Sequence, residues 1–321
     1  MKILITGCAG FIGFHLCEKL SRLKNINTIG IDNLNNYYDQ KLKKNRLKIL
    51  LSKNNFKYFK NDITNKGQTF KALKDLKIDI IVHLAAQAGV RESFLQPQLY
   101  KKINIDGFEN ILELAKIKKI KHLIYASSSS VYGNSTKMPL KESDNTDNQV
   151  SYYGATKKIN EVMASIFNET IKIPSTGLRF FTVYGPYGRP DMAPHLFTNA
   201  IIRNKKIQLF NNGLLKRDFT YIDDVIEALI KIIKSKPKSN HEIYNIGKGK
   251  TDKLKDFIKI IEKSLSKKAK FNHLGMQKGD VYITHASVKK LINKFNYQPK
   301  TNLNKGLAEF VRWYLEYYKV K

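Results

Sequence analysis

The chain opens with Lys2-Ile3-Leu4-Ile5-Thr6-Gly7-Cys8-Ala9-Gly10-Phe11-Ile12-Gly13, and the fold is decided there. An apolar run of strand length stops at a glycine and gives way to a helical pattern over residues 11–24. Gly7, Gly10 and Gly13 stand in a G-x-x-G-x-x-G spacing. In such a loop the first glycine permits a tight turn. The second lets the backbone approach a pyrophosphate, and the third lets helix and sheet pack closely. Phe11 and Ile12 open the helix, whose N-terminus favours an anion. The spacing alone also fits a structural turn; its place directly after a strand points to a dinucleotide.

Outward from this loop the first half alternates. Strands are predicted at 27–31, 56–59, 79–84, 122–127 and 175–181, with helices over 100–117 and 152–169. Strand, helix, strand in that order implies right-handed crossovers and a parallel sheet covered by helices on both faces. The expected fold is therefore α/β: a Rossmann-type doubly wound sheet over residues 1–181. Residues 182–194 (TVYGPYGRPDMAP) carry three Pro and two Gly and predict a shaped loop. Beyond it are predicted a helix at 195–204, a turn at Asn212-Gly213, a strand at 217–221, a helix at 223–235, a strand at 242–246 and helices near 253–266 and 304–319. Residues 182–321 read as a smaller, interleaved α/β substrate lobe, with 217–248 partly returning to the main sheet.

Asp32 closes the second strand. A carboxylate there accepts from the adenosine ribose hydroxyls and repels a 2′-phosphate, so NAD is favoured over NADP. Asp62 follows the third strand and is placed to accept from an adenine amino group; the same spacing fits a turn Asp. Tyr153 and Lys157 form Y-G-A-T-K, one turn apart on one helix face. An ammonium beside a phenol favours the phenolate, so the tyrosine pKa is expected to fall and Tyr153 to serve as a general base. Ser127-Ser128-Ser129-Ser130 ends the fifth strand, where parallel sheets place their ligands. The three signals together are specific; each alone is not.

Composition limits the remaining possibilities. The chain has 321 residues, 42% apolar, with no apolar run long enough to span a membrane. The N-terminus lacks the pattern of a secretory signal. Cys8 and Cys17 cannot build a disulfide framework, so a reduced cytoplasmic setting is expected. The formal net charge is +30, but only eight of the 57 basic residues are Arg, and the Lys residues are spread along the chain. That pattern reads as a solvated surface bias rather than a nucleic-acid stripe. A positive field would still draw in an anionic small substrate.

TGCAGFIG, HLAAQAG, ASSSSVYG and YGATK together resemble the extended short-chain dehydrogenase/reductase (NAD-dependent epimerase/dehydratase) family, over essentially the whole chain. IDNLNNYYD, GVRESF, LRFFTVYGPYGRPDMA and RDFTYIDD are most similar to its UDP-glucuronate 4-epimerases, which interconvert UDP-glucuronate and UDP-galacturonate. The resemblance implies a catalytic trio of Ser128, Tyr153 and Lys157, with NAD held also by Asn33, Ile63, Leu84, Ala85 and Ala86. It implies a UDP-sugar held by Val90, Arg91, Ser129, Ser130, Thr182, Arg189, Arg217 and Asp280, with no metal. Tyr37 and Tyr38 match the family's cofactor-side loop, and Gly89 belongs to the loop near the substrate. Cys8 stands where Ala is more usual, and Glu92 where an aromatic is. Thr182 and Arg189 argue for an acid sugar: neutral-hexose relatives usually carry Asn in place of Thr182, and a guanidinium takes a carboxylate bidentately. Arg189 also fits a loop residue holding a carbonyl. A 4-keto uronate is a β-keto acid that loses CO2 when its carboxylate stands perpendicular to the carbonyl plane, so an epimerase must hold that group still. A homodimer joined through helices 100–117 and 152–169 is implied too. The competing readings are a UDP-glucuronate decarboxylase, a UDP-hexose 4-epimerase, and a catalytically silent RNA-binding scaffold.

Overall fold

The computed structural model describes residues 1–238, 240–276 and 280–320. Its first half runs β1 (Lys2–Thr6), α1 (Phe11–Ser21), β2 (Asn27–Asp32), α2 (Gln40–Leu51), β3 (Phe56–Lys60), α3 (Lys66–Leu73) and β4 (Ile80–His83). Then come α4 (Val90–Leu95), α5 (Pro97–Lys101), α6 (Gly107–Ile117), β5 (His122–Ser128), α7 (Tyr152–Ile171) and β6 (Ser175–Phe180). The second half runs β7 (Thr182–Tyr184), α8 (Ala193–Ile202), β8 (Lys206–Phe210), β9 (Lys216–Arg217), β10 (Phe219–Tyr221), α9 (Ile222–Lys234) and β11 (His241–Ile246). It closes with β12 (Asp252–Lys253), α10 (Leu254–Leu265), β13 (Lys270–Leu274), α11 (Lys289–Phe295) and α12 (Leu303–Tyr318).

Seven strands form one sheet in the order β11-β6-β5-β4-β1-β2-β3. Every adjacent pair in it is parallel. Strands buried on both faces need apolar side chains in both directions. Ile3 and Ile5 accordingly enter the apolar layer shared with α1, α9 and α12, while Leu4 enters the opposite layer with α6 and α7. The chain runs outward from β1 to β3, then returns to place β4 on the other side of β1. That reversal opens a crevice at the carboxyl ends of β1 and β4. Thr6 pins the crevice: its Oγ1 lies 2.8 Å from His83 Nδ1 and accepts from Ala85 N at 3.2 Å.

Three expectations need correction. The helix expected over 100–117 is interrupted: residues Lys102–Asp106 wind as a wider π-helical turn. The reason is tertiary. Asn104 exchanges hydrogen bonds with the Gln87 backbone at 2.8 and 3.0 Å, donates to Thr156 Oγ1, and offers its own carbonyl to Asn160 Nδ2 at 2.6 Å. The strand expected at 217–221 is split at Asp218, whose buried carboxylate accepts from the backbone of Lys248, Gly249 and Ala286. On either side, β9 pairs with β12 and β10 with β7. The loop expected at 182–194 begins as strand β7. Elements α2, α3, β8, β13 and α11 had no counterpart in the sequence reading. β13 is exposed at every position, so it carries no alternation to read.

Candidate active site

The crevice continues into a cavity of about 1070 Å³ whose walls include every residue singled out as a cofactor, catalytic or substrate ligand. One end is made of backbone. A Cβ added at Gly13 would lie 2.1 Å from the Gly7 carbonyl oxygen, so loop and helix touch with no room for a side chain. Helix α1 has no side-chain cap, so the N–H groups of its first turn take no side-chain acceptor, and Phe11 and Ile12 line the cavity. Asp32 receives Ala9 N at 3.0 Å and Leu34 N at 2.8 Å, which fixes its carboxylate at the lip. Burial pushes its pKa up, against those bonds and the charges of Lys43 and Arg46. Asp62 takes Asn33 Nδ2 on one oxygen and the Thr64 N–H and hydroxyl on the other. Partial burial opposes its ionisation, but these bonds prevail and hold it below the usual range. Ile63, Leu84, Ala85 and Ala86 complete this wall. A cradle that excludes any Cβ, an uncapped helix start and a fixed carboxylate at the ribose position fit the pyrophosphate and adenosine of NAD.

The middle of the cavity holds Ser128, Tyr153 and Lys157. Ser128 caps the turn after β5, where its Oγ accepts from Ser130 N and lies 3.1 Å from Ser130 Oγ. Ser129 and Ser130 follow it along the wall. Helix α7 begins at Ser151, which caps Gly154 N, so Tyr153 and Lys157 enter from its first turns. Lys157 is buried and donates to the Ala126 carbonyl at 2.9 Å. Burial pulls its pKa down to about 8. The expected fall in the tyrosine pKa is not what the structure gives. Burial raises the Tyr153 phenol; the hydrogen bond with Ser128 and the charge of Arg189 pull it back only in part. The physical reason is that a dry pocket penalises phenolate and ammonium alike, and the ammonium is turned to a carbonyl.

The far end is built from charged side chains. Arg217 donates to Asp280 at 2.8 Å, and Arg91 approaches the other Asp280 oxygen at 3.8 Å while lying over the Phe210 ring. Val90 starts the short helix that carries Arg91. Gly89, just before it, sits at φ +111°, and a Cβ there would meet the Tyr37 hydroxyl at 2.6 Å. Thr182 opens β7, and Arg189 lies in the loop after it. The Arg189 guanidinium pairs with Asp191, with Nε donating to Oδ1 at 3.0 Å, and lies 5.5 Å from the Tyr37 ring centre. So Arg189 holds a carboxylate of its own loop rather than a carbonyl.

Two residues at this site escaped the sequence reading. Asp191 stands two positions after Arg189, and that proximity was the available signal. Buried Arg46 donates to Ala9 O at 2.8 Å, to the Tyr38 hydroxyl at 2.7 Å and to Tyr187 O at 2.6 Å. It thereby ties the glycine loop to the Arg189 loop. An arginine in a chain that otherwise uses lysine was the signal there.

A model of the NAD dependent epimerase/dehydratase family matches residues 3–247, and the chain belongs to that family. It is 45% identical to Protein CapI of Staphylococcus aureus, over 99% of this chain and 100% of that protein. It is 41% identical to UDP-glucuronate 4-epimerase 4 of Arabidopsis thaliana, over 99% of this chain and 76% of that protein. Its structure is similar to that of the UDP-glucuronic acid 4-epimerase of Bacillus cereus in complex with UDP-glucuronic acid and NAD, with a TM-score of 0.94 and 35% identity over 99% of this chain and 100% of that one. No helix among the described residues is long and apolar enough to cross a membrane.

Proposed function

We propose that this chain is a UDP-glucuronate 4-epimerase, interconverting UDP-glucuronate and UDP-galacturonate through a transient 4-keto sugar. The observation that carries the reading is the placement of Arg189 and Thr182 in the wall of the same cavity as Tyr153, with Arg189 close enough for its charge to act on the phenol. The same reading is supported by the relatives of the preceding subsection. Bound NAD supplies the group that accepts hydride from C4 and gives it back. Gly7, Gly10, Gly13 and Asp32 would hold that cofactor, and Lys157 would donate to its nicotinamide ribose. Tyr153 acts as the phenolate, the form that the Ser128 hydrogen bond and the Arg189 charge favour against burial, and takes the proton of the sugar 4-hydroxyl to become the phenol. Arg217 takes the diphosphate, exchanging part of its pairing with Asp280 for phosphate oxygens. Ser129, Ser130 and Thr182 face the sugar, and Arg189 takes its carboxylate. The 4-keto sugar then turns over about its diphosphate link, and Tyr153 returns the proton on the other face.

Incubation with UDP-glucuronate should give UDP-galacturonate, identified by the NMR signal of the C4 proton. Release of CO2 with a UDP-pentose as the main product would show a decarboxylase instead, and turnover of UDP-glucose alone a neutral-hexose enzyme. We also propose a homodimer joined through α7, where Ile159, Val162 and Ile166 form an exposed apolar stripe at helical spacing. Light scattering on Val162→Glu should show a monomer where the parent chain shows a dimer. A reducing cytoplasm is consistent with two buried, unpaired cysteines.

A further inference from the structure

The intermediate of the proposed reaction carries a hazard. Once C4 is a ketone, the C5–C6 bond can break whenever it lines up with the carbonyl π system. Its electron pair then passes into the C4 enolate, CO2 departs, and C5 takes a proton, leaving a UDP-4-keto-pentose. Only a carboxylate held firmly out of that alignment survives.

Arg189 is the group that would hold it, but so long a side chain holds a ligand in one orientation only if it is itself braced. A guanidinium has two donor edges. In this structure Asp191 occupies the edge formed by Nε and Nη2. Among the described residues no hydrogen bond is made by Nη1, so the second edge is left for a ligand. Asp191 is itself braced: the Tyr37 hydroxyl reaches its Oδ2 at 3.5 Å, and the Tyr37 ring lies under the guanidinium. The carboxylate is partly buried, yet the Arg189 charge holds it ionised below the usual range. Underneath, Arg46 clamps the carbonyls of Tyr187 and Gly188, and Met192 N bonds to Arg189 O, so the backbone cannot swing.

We propose that Asp191 is a positioning residue that fixes the Arg189 guanidinium by one edge, so that the other holds the uronate carboxylate away from the geometry of decarboxylation. This rests on the epimerase reading above. In this role Asp191 acts through Arg189 rather than on the substrate; it sets the fate of the intermediate rather than its formation.

The test uses the full-length holoenzyme and UDP-glucuronate labelled with ¹³C at C6, counting labelled CO2 against labelled UDP-galacturonate. Asp191→Asn keeps the shape and removes the charge. It should raise the share of released CO2 by about tenfold, the effect of a slightly misplaced reacting group. Asp191→Glu should return part of the way to the parent ratio, and UDP affinity by calorimetry should stay within about twofold in both, since Arg217 is untouched. An unshifted CO2 share in Asp191→Asn, with or without slower turnover, overturns the proposal while leaving the epimerase reading intact. A parent enzyme that itself releases mostly CO2 overturns both.

Discussion

The two ends of the cavity are built from different materials. At the cofactor end the walls are backbone and short side chains, centred on one short stretch, a glycine loop, the helix it opens and the end of the next strand, and completed by the ends of the two strands that follow. At the sugar end the walls are charged side chains drawn from distant segments; Arg217 and Asp280 are 63 positions apart, and Tyr37 and Asp191 are 154 apart. A surface made of N–H groups and absent side chains has one shape and accepts one ligand. A surface made of ion pairs can exchange partners, which suits a sugar that must turn over during each cycle.

The largest effect should come from breaking the backbone end. Gly13→Ala drives a Cβ into the Gly7 carbonyl, where no flexible atom can yield. Overpacking of this kind costs roughly 1–3 kcal/mol. The variant should lose NAD on purification, read by nucleotide extraction, and melt several degrees lower; retained cofactor would show that loop and helix can part without harm. Next comes the chemistry between the two ends. Tyr153→Phe should lose about 10²–10⁴-fold in kcat, the usual worth of a positioned base, while NAD content and UDP affinity stay put. A parent-like rate would assign the base elsewhere. Smaller again is Arg217→Ala at the ion-paired end. It should weaken UDP about tenfold to a hundredfold by calorimetry, with NAD content and melting nearly unchanged. If it also sheds NAD, the two ends are not separable.

The same contrast explains what could be read from the sequence. The sheet and the cofactor end follow from local rules: apolar runs, glycine spacing, and a carboxylate closing a strand. The sugar end was reached through motif resemblance, because ion pairs such as Arg217 with Asp280 exist only after folding. Asp191 was missed because its one local mark is its place two residues after Arg189, while its pairing with that guanidinium and with Tyr37 exists only after folding. The π-helical turn at Asn104 was missed because its cause, the Gln87 backbone, lies 17 residues earlier. In a chain this rich in lysine, an arginine is itself a mark of a specific contact. Against a lysine-rich background, Arg46, Arg91, Arg179, Arg189 and Arg217 all make specific contacts: Arg179 forms a buried pair with Glu161, Arg46 braces the loops behind the cavity, and Arg91, Arg189 and Arg217 line it. The tyrosine pKa was misjudged for a related reason. Spacing shows that Lys157 shares a helix face with Tyr153, but not that its ammonium faces Ala126 or that both groups are dry.

The last test asks whether the two ends also unfold together. Burial lowers the pKa of His83 to about 3, and of His122 and His195 to about 4. His83 and His122 belong to the sheet, at the end of β4 and the start of β5; His195 sits in α8, 5.5 Å from the ring of Trp313. Each stays neutral in the folded chain but takes a proton near pH 6.5 once unfolded. Between those values the unfolded chain binds more protons, so stability is fully present above pH 6.5 and falls as the pH drops below it. The loss is roughly 1 kcal/mol per histidine per pH unit. Urea midpoints should therefore fall between pH 7 and pH 5. Trp313 is the chain's one tryptophan, so its fluorescence reports the His195 side, while far-UV circular dichroism reports the whole. If the second half is a layer on the main sheet, held by the strand β11 that it contributes there, the two midpoints should coincide at each pH. A fluorescence transition that runs ahead on acidification would instead make the sugar end a separate unit, one able to open while the glycine loop still holds its nucleotide.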